Sequence, residues 1–214
     1  MKSTWHLIAV LLAVSLPSPS LCAGEPPAGS RIVVVSPNEG DARIAFVIEA
    51  IEFWARVFAD LGLEPVLPEA DVVVSPVSNR ALETYARRIS QFAGRPGSFD
   101  PHARPSELTA IDADVVVLLS TQKLMPFAWP RPGESRFFVA ISAIGDDSAA
   151  DATITRNVIA HELGHVVGLS HHDEPTTLMC LPCETVSRPE GPSTFRPLMP
   201  EDESRLVELY SGLR

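Results

Sequence analysis

His161, Glu162 and His165 are the residues of this chain whose types and spacing are best suited to chemistry, and they sit in the stretch 161–171, HELGHVVGLSH. Positions i and i+4 share one face of a helix, so His161 and His165 project side by side. Two imidazoles placed this way can ligate a single ion. Zinc is the usual choice for nitrogen donors in a four-coordinate site that leaves one position open to water. Glu162 adjoins the first histidine and is turned around the helix from it, so it faces the water rather than the ion. Zinc lowers the pKa of such a water to about 7, and a carboxylate can then take its proton. Gly168 follows three residues after His165; a glycine accepts a left-handed conformation and ends a helix sharply. The chain can then fold back so that His171, selected over His172 by its spacing, supplies a third nitrogen. Read as ordinary helix residues, three ionisable side chains among Val, Leu and Ile would be costly to bury.

The stretch HELGHVVGLSH matches the pattern HExxHxxGxxH and resembles the metzincin clan of zinc peptidases. Metzincins also carry a methionine on a tight turn beneath the metal. Here Met179, within Thr177-Leu178-Met179-Cys180, lies eight residues after His171. That spacing, with Leu178 before it, resembles the matrixin branch, and Asp202 to Tyr210 is similar to the closing helix of matrixin catalytic domains. Without the resemblance, Met179 would read as a core methionine.

The resemblance implies a zinc-dependent endopeptidase with one catalytic Zn²⁺ held by His161, His165 and His171. It gives Glu162 the role of general base and Gly168 and Met179 structural roles. It also implies a peptide or protein substrate bound in extended form at a sheet edge. A helix at 41–61 would back the sheet, and strands near 114–142 would include the receiving edge.

The chain also departs from the matrixin pattern. Cys180-Leu181-Pro182 stands where matrixins usually have Tyr-Pro after the methionine. His102 is the only histidine between the N-terminal apolar run and the motif, so the His-rich loop of a second, structural zinc is lacking. The context of Cys22, Ser-Leu-Cys-Ala-Gly, does not match a cysteine-switch prosegment. Archaemetzincins, the second-choice resemblance, share the HExxHxxGxxH core, but their nearby cysteines fall at His172 and Thr177 here. The motif has two other readings: a non-catalytic zinc-binding interaction module on the same fold, and a zinc hydrolase of non-peptide amides.

The elements that must hold these residues follow from periodicity. Residues 31–36 (RIVVVS) read as a strand. Residues 41–61 carry apolar residues at helical spacing, and Gly62 stops them. Residues 63–67 and 72–75 are short strand candidates, and 78–92 reads as a helix. Residues 95–110 read as a surface loop. Residues 114–120 (DVVVLLS) form a near-continuous apolar strand suited to the centre of a sheet. A Pro- and Trp-containing loop is expected over 125–133, a strand over 137–142, and a turn over 145–151. Thr153 or Thr155 would cap the motif helix, which runs to Gly168. A loop then extends to Met199, and Pro200 with acidic residues opens a last helix. The expected fold is α+β (α/β-like): a mixed twisted sheet with a backing helix and an active-site helix, then a small irregular C-terminal subdomain ending in a helix. The expected divisions are a signal peptide at 1–23, a linker at 24–30, an N-terminal catalytic subdomain at 31–168 and a C-terminal subdomain at 169–214.

Composition narrows the function. The chain has 214 residues, 45% of them hydrophobic, and a net charge of -10. That charge argues against nucleic acid, which requires a basic footprint. Leu7 to Leu16 is apolar apart from Ser15, too short to span a bilayer but suited to the core of a signal peptide. The expectation is therefore a secreted or periplasmic protein without a stable membrane span, a lipoprotein through Cys22 ranking second; the oligomeric state is left open, with a monomer favoured. Cys180 and Cys183 read as a local disulfide or two structural thiols, because a redox centre would need a helix behind it and a zinc ribbon a second pair. Asp146, Asp147 and Asp151 lack EF-hand spacing and read as a solvated turn, so calcium is unsupported. Asp173 or Glu174 is placed to orient a ligand imidazole.

Overall fold

The computed structural model describes residues 31–92, 103–131, 134–143, 149–183 and 195–212. The expected leader and linker, His102, Asp146 and Asp147 lie outside the described residues, and Asp151 is placed by its backbone alone. The elements in chain order are β1 (Ile32–Ser36), α1 (Arg43–Asp60), β2 (Ala70–Val74), α2 (Pro76–Phe92), α3 (Ser106–Ala110), β3 (Val115–Leu119), β4 (Phe127–Pro130), β5 (Phe137–Ile141), α4 (Ala149–Val166) and α5 (Pro200–Tyr210).

One sheet runs β2-β1-β3-β5-β4, with the first four strands parallel and β4 antiparallel to β5 at the edge. The three central strands, β1, β3 and β5, are buried at every position. Their side chains alternate between two cores, as the period of a strand requires. Ile32, Val34, Val115, Val117, Leu119, Val139 and Ile141 face α1 and α4. Val33, Val35, Val116, Leu118, Phe138 and Ala140 face the other way, against Leu82, Ala86 and Ile89 of α2. Both faces being covered explains why these strands read as continuous runs of β-branched residues.

The site helix is held from below by α1. Trp54, fully buried, donates its Nε1 hydrogen to the Ala160 carbonyl at 3.0 Å. Arg156 of α4 pairs with Glu49 and lies over the Phe46 ring at 4.0 Å, both on α1. Gly62 takes φ +71° and ends α1, with Gly62 N–H on Ala59 O and Leu63 N–H on Phe58 O, the two bonds of a Schellman cap.

Four sequence expectations need correction. Residues 63–67 form no strand; Val66 and Leu67 turn inward as part of the core instead. The segment 125–133 is not all loop, because residues 127–130 pair with β5, which supplies the ladder partners that a local reading does not see. The surface loop at 95–110 contains the short helix α3, anchored by the buried Leu108. Helix α4 begins at Ala149, so 149–151 are helix rather than the end of the turn expected over 145–151, and Thr153 and Thr155 lie inside the helix and cap nothing.

Candidate metal centre

Helix α4 presents His161 and His165 on one face, with ring centroids 4.8 Å apart. Its end is set by Gly168 at φ +92°. Gly168 N–H donates to His165 O at 3.1 Å and Leu169 N–H to Gly164 O at 3.0 Å, another complete Schellman cap. The chain reverses there and returns His171. His171 Nε2 lies 3.0 Å from His161 Nε2 and 2.9 Å from His165 Nε2.

The outer nitrogens define the tautomers. His161 Nδ1–H donates to Leu178 O at 2.7 Å and His165 Nδ1–H to Leu169 O at 2.9 Å. Both Nε2 lone pairs then point inward, toward His171. Lone pairs packed this closely repel one another unless a cation lies between them. Ligands about 2.1 Å from a tetrahedral zinc stand about 3.4 Å apart, close to the separations seen. The three histidines are the one metal-suited cluster among the described residues. Burial is the leading cause holding all three imidazoles below their ordinary pKa, His165 at about 4, so they are neutral and ready to ligate at pH 7. The donor set therefore fits zinc. Leu178 and Leu169 carbonyls orient His161 and His165, whereas Glu174 accepts a hydrogen bond from Thr176.

Glu162 is 6% exposed and lines the same cleft. Burial pushes its carboxyl up to about 8, while a hydrogen bond from the Ala128 backbone on β4 pulls it back down. The cleft has a volume of about 630 Å³ and runs between β4 and the segment after the third histidine. Its walls are mostly apolar and include Met125, Phe127, Ile154, Val158, Leu178 and Leu181.

Met179 is fully buried beneath α4. Its Sδ is 2.5 Å from where a Cβ on Gly164 would stand. Gly164 thus admits the methionine between the turns that carry His161 and His165. The position was legible as an anomaly: a glycine inside a helix costs about 1 kcal/mol relative to alanine and calls for a packing reason.

His172 is not part of the cluster. Its N–H donates to Met179 O at 3.1 Å, and its carbonyl accepts Leu181 N–H at 2.8 Å. Its ring Nε2 is 3.3 Å from Asp202 Oδ2, and Asp202 also accepts Met199 N–H at the start of α5. The final helix is thereby tied to the ligand loop, and Tyr210 donates to Val167 O at 3.2 Å near the end of α4. Neither His172 nor Asp202 carried a motif that would reveal this pairing. Cys180 and Cys183 are joined as a disulfide at the cleft wall.

A helix carrying two histidines and a glutamate, a glycine reversal to a third histidine and a methionine beneath them define a metzincin-like zinc metallopeptidase. The matrixin family model matches residues 99–211, more than half of the chain, and the chain belongs to that family. No curated protein sequence matches it. Among solved structures it is similar to archaemetzincin from Methanopyrus kandleri, at 15% identity over 86% of this chain and 97% of that one, with a TM-score of 0.46. It is also similar to a zinc-dependent peptidase from Methanocorpusculum labreanum, at 16% identity over 82% and 98%, TM-score 0.39. A third is metalloproteinase-II from Bacteroides fragilis, at 15% identity over 87% and 54%, TM-score 0.45.

Proposed function

We propose that this metallopeptidase is an endopeptidase in which His161, His165 and His171 hold one Zn²⁺ and Glu162 is the general base. The observation that carries the reading is the meeting of three inward-facing Nε2 atoms with a buried carboxyl in one cleft. Zinc bound there would supply Lewis acidity to the scissile carbonyl and acidify water. Beside a bound zinc the Glu162 carboxyl would fall from about 8, and as a carboxylate Glu162 takes the proton of the attacking water and passes it to the leaving amine. The Ala128 N–H holds the carboxyl in place for both transfers. The apolar walls exclude bulk water and strengthen these interactions.

The substrate backbone would lie extended along β4, whose outer side has no strand partner among the described residues. The cleft is lined from both 31–168 and 169–214, which supports reading these spans as two subdomains with the site between them. Export through the 1–23 segment is supported by its apolar run and by a disulfide suited to an oxidising compartment. No described helix is long and apolar enough to cross a membrane.

The test is zinc content and cleavage of a denatured protein by wild type and Glu162→Gln. The expected result is about one zinc per chain in both and cleavage by wild type alone. Cleavage that survives Glu162→Gln would refute the mechanism. A zinc-loaded wild type that cleaves nothing across a broad peptide library would favour the non-catalytic binding module.

A further inference from the structure

The peptidase reading leaves the Cys180–Cys183 disulfide unused, and its two sulfurs sit in different surroundings. Cys180 is 1% exposed and directly follows Met179. Cys183 is exposed at the cleft wall. Arg196 Nη1 lies 3.1 Å from Cys180 Sγ and 2.9 Å from Pro175 O, which holds the guanidinium against the inner sulfur. The Arg196 N–H is itself held by Asn157 Oδ1 at 2.8 Å, so the cation is fixed to α4 from its backbone as well.

Thiol–disulfide exchange requires an accessible sulfur to be attacked and a stabilised thiolate to leave. Cys183, an exposed residue on the cleft with its Sγ 2.9 Å from Cys180 O, meets the first need. A guanidinium in contact with the inner sulfur meets the second, because a nearby cation favours the thiolate.

We infer that Cys183 is a thiol-exchange site, with Cys180 as the leaving thiolate held by Arg196. An incoming thiolate bonds to Cys183 Sγ, the Cys180–Cys183 bond breaks, and its electron pair goes to Cys180 Sγ beside Arg196. A second thiol then attacks the mixed disulfide, leaving Cys183 reduced and the two small thiols joined as their own disulfide. The reductant is a small thiol or a vicinal dithiol, itself oxidised by two electrons overall.

The exchange bears on the cleft. Cys180 stays in register when reduced, because the backbone bridge between His172 and Cys180 does not depend on sulfur. The segment 182–183 loses its tether, while the Leu181 N–H stays on His172 O. Cys183, which lines the cleft beside Leu181, goes with it. Reduction therefore alters how substrate is held and leaves the three histidines in place. This last consequence rests on the peptidase reading; the exchange site does not.

The probe is reduced glutathione, followed by acid quench, alkylation of free thiols and peptide mapping by mass spectrometry. The expected first product carries glutathione on Cys183 and the alkyl group on Cys180. Arg196→Gln should form it about fivefold more slowly, and Arg196→Lys should restore most of the rate. An adduct on Cys180, no adduct at all, or an unchanged rate in Arg196→Gln overturns the inference, and the wild-type mapping holds even if a variant fails to fold. In parallel, peptide cleavage by the reduced enzyme should show KM raised several-fold with kcat and zinc content unchanged. A correct adduct with no change in KM would overturn the coupling to the cleft. A wild type that exchanges thiols but cleaves no peptide would refute the proposed function and spare the exchange site.

Discussion

Replacing Gly164 with alanine sets two opposed effects against each other. Alanine is favoured over glycine inside a helix by about 1 kcal/mol, so on an exposed face Gly164→Ala would stabilise α4. At this position the new Cβ would stand 2.5 Å from Met179 Sδ, 3.1 Å from Met179 Cε and 3.1 Å from Trp54 Cζ2. Met179 and Trp54 are both fully buried, so neither can swing into solvent. Overpacking of a tight core costs about 1–3 kcal/mol. The balance is a net loss of about 1 kcal/mol, or a fall of about 3 °C in melting temperature for a chain of this size. The same displacement moves the turn between His161 and His165, so zinc affinity should fall about tenfold. Thermal melts with and without zinc, and a competitive chelator titration, would read both effects. The decisive control is the double-mutant cycle with Met179→Ala, which takes away the sulfur that the new methyl would hit. In that background Gly164→Ala should cost nothing or stabilise. A variant as stable as wild type with unchanged zinc affinity would refute the claim that Met179 is wedged against the helix.

Three further outcomes are expected. Removing zinc with a chelator should lower the melting temperature, and restoring it at about 1,000 times its dissociation constant should return about 4 kcal/mol of stability, read by calorimetry. Trp54→Phe keeps most of the packing but leaves the Ala160 carbonyl without its 3.0 Å donor, so it should cost about 1–3 kcal/mol in chemical denaturation. Asp202→Ala should free the start of α5 from Met199 and His172, costing about 1–2 kcal/mol by the same measurement, with a larger loss of zinc affinity than Ser204→Ala on the exposed side of that helix.

Much of this fold is legible in the sequence because it depends on local period. β1, β3 and β5 read as strands because burial on both faces demands unbroken apolar runs. α1 reads as a helix ending at Gly62 because its period and its cap agree. β4 does not, because residues 127–130 hold their strand only through the ladder with β5, and Pro126 and Pro130 look locally like breakers. Residues 63–67 fail in the opposite sense. Their apolar pattern serves core burial and has no ladder partner. The placement of the site follows the same division. His161, Glu162, His165 and Gly168 are related by helical geometry, which spacing alone reveals. The grip of Asp202 on His172, thirty residues away, and the fit of Met179 into the gap at Gly164 are tertiary facts. Only the glycine left a local trace of its role.

The bridge between His172 and Cys180 closes the chain into a small ring, fastened by backbone atoms at both crossing points. Within the ring Thr177, Leu178 and Met179 are buried, whereas Asp173, Glu174 and Thr176 are exposed. Fastening by backbone fixes the number of residues in the ring and leaves the identity of the exposed ones open. An insertion here would separate the third histidine from the methionine, whereas a substitution at an exposed position would pass unnoticed by the metal. The ring is therefore a place where descent can rewrite the surface of the protein freely while its length is held constant.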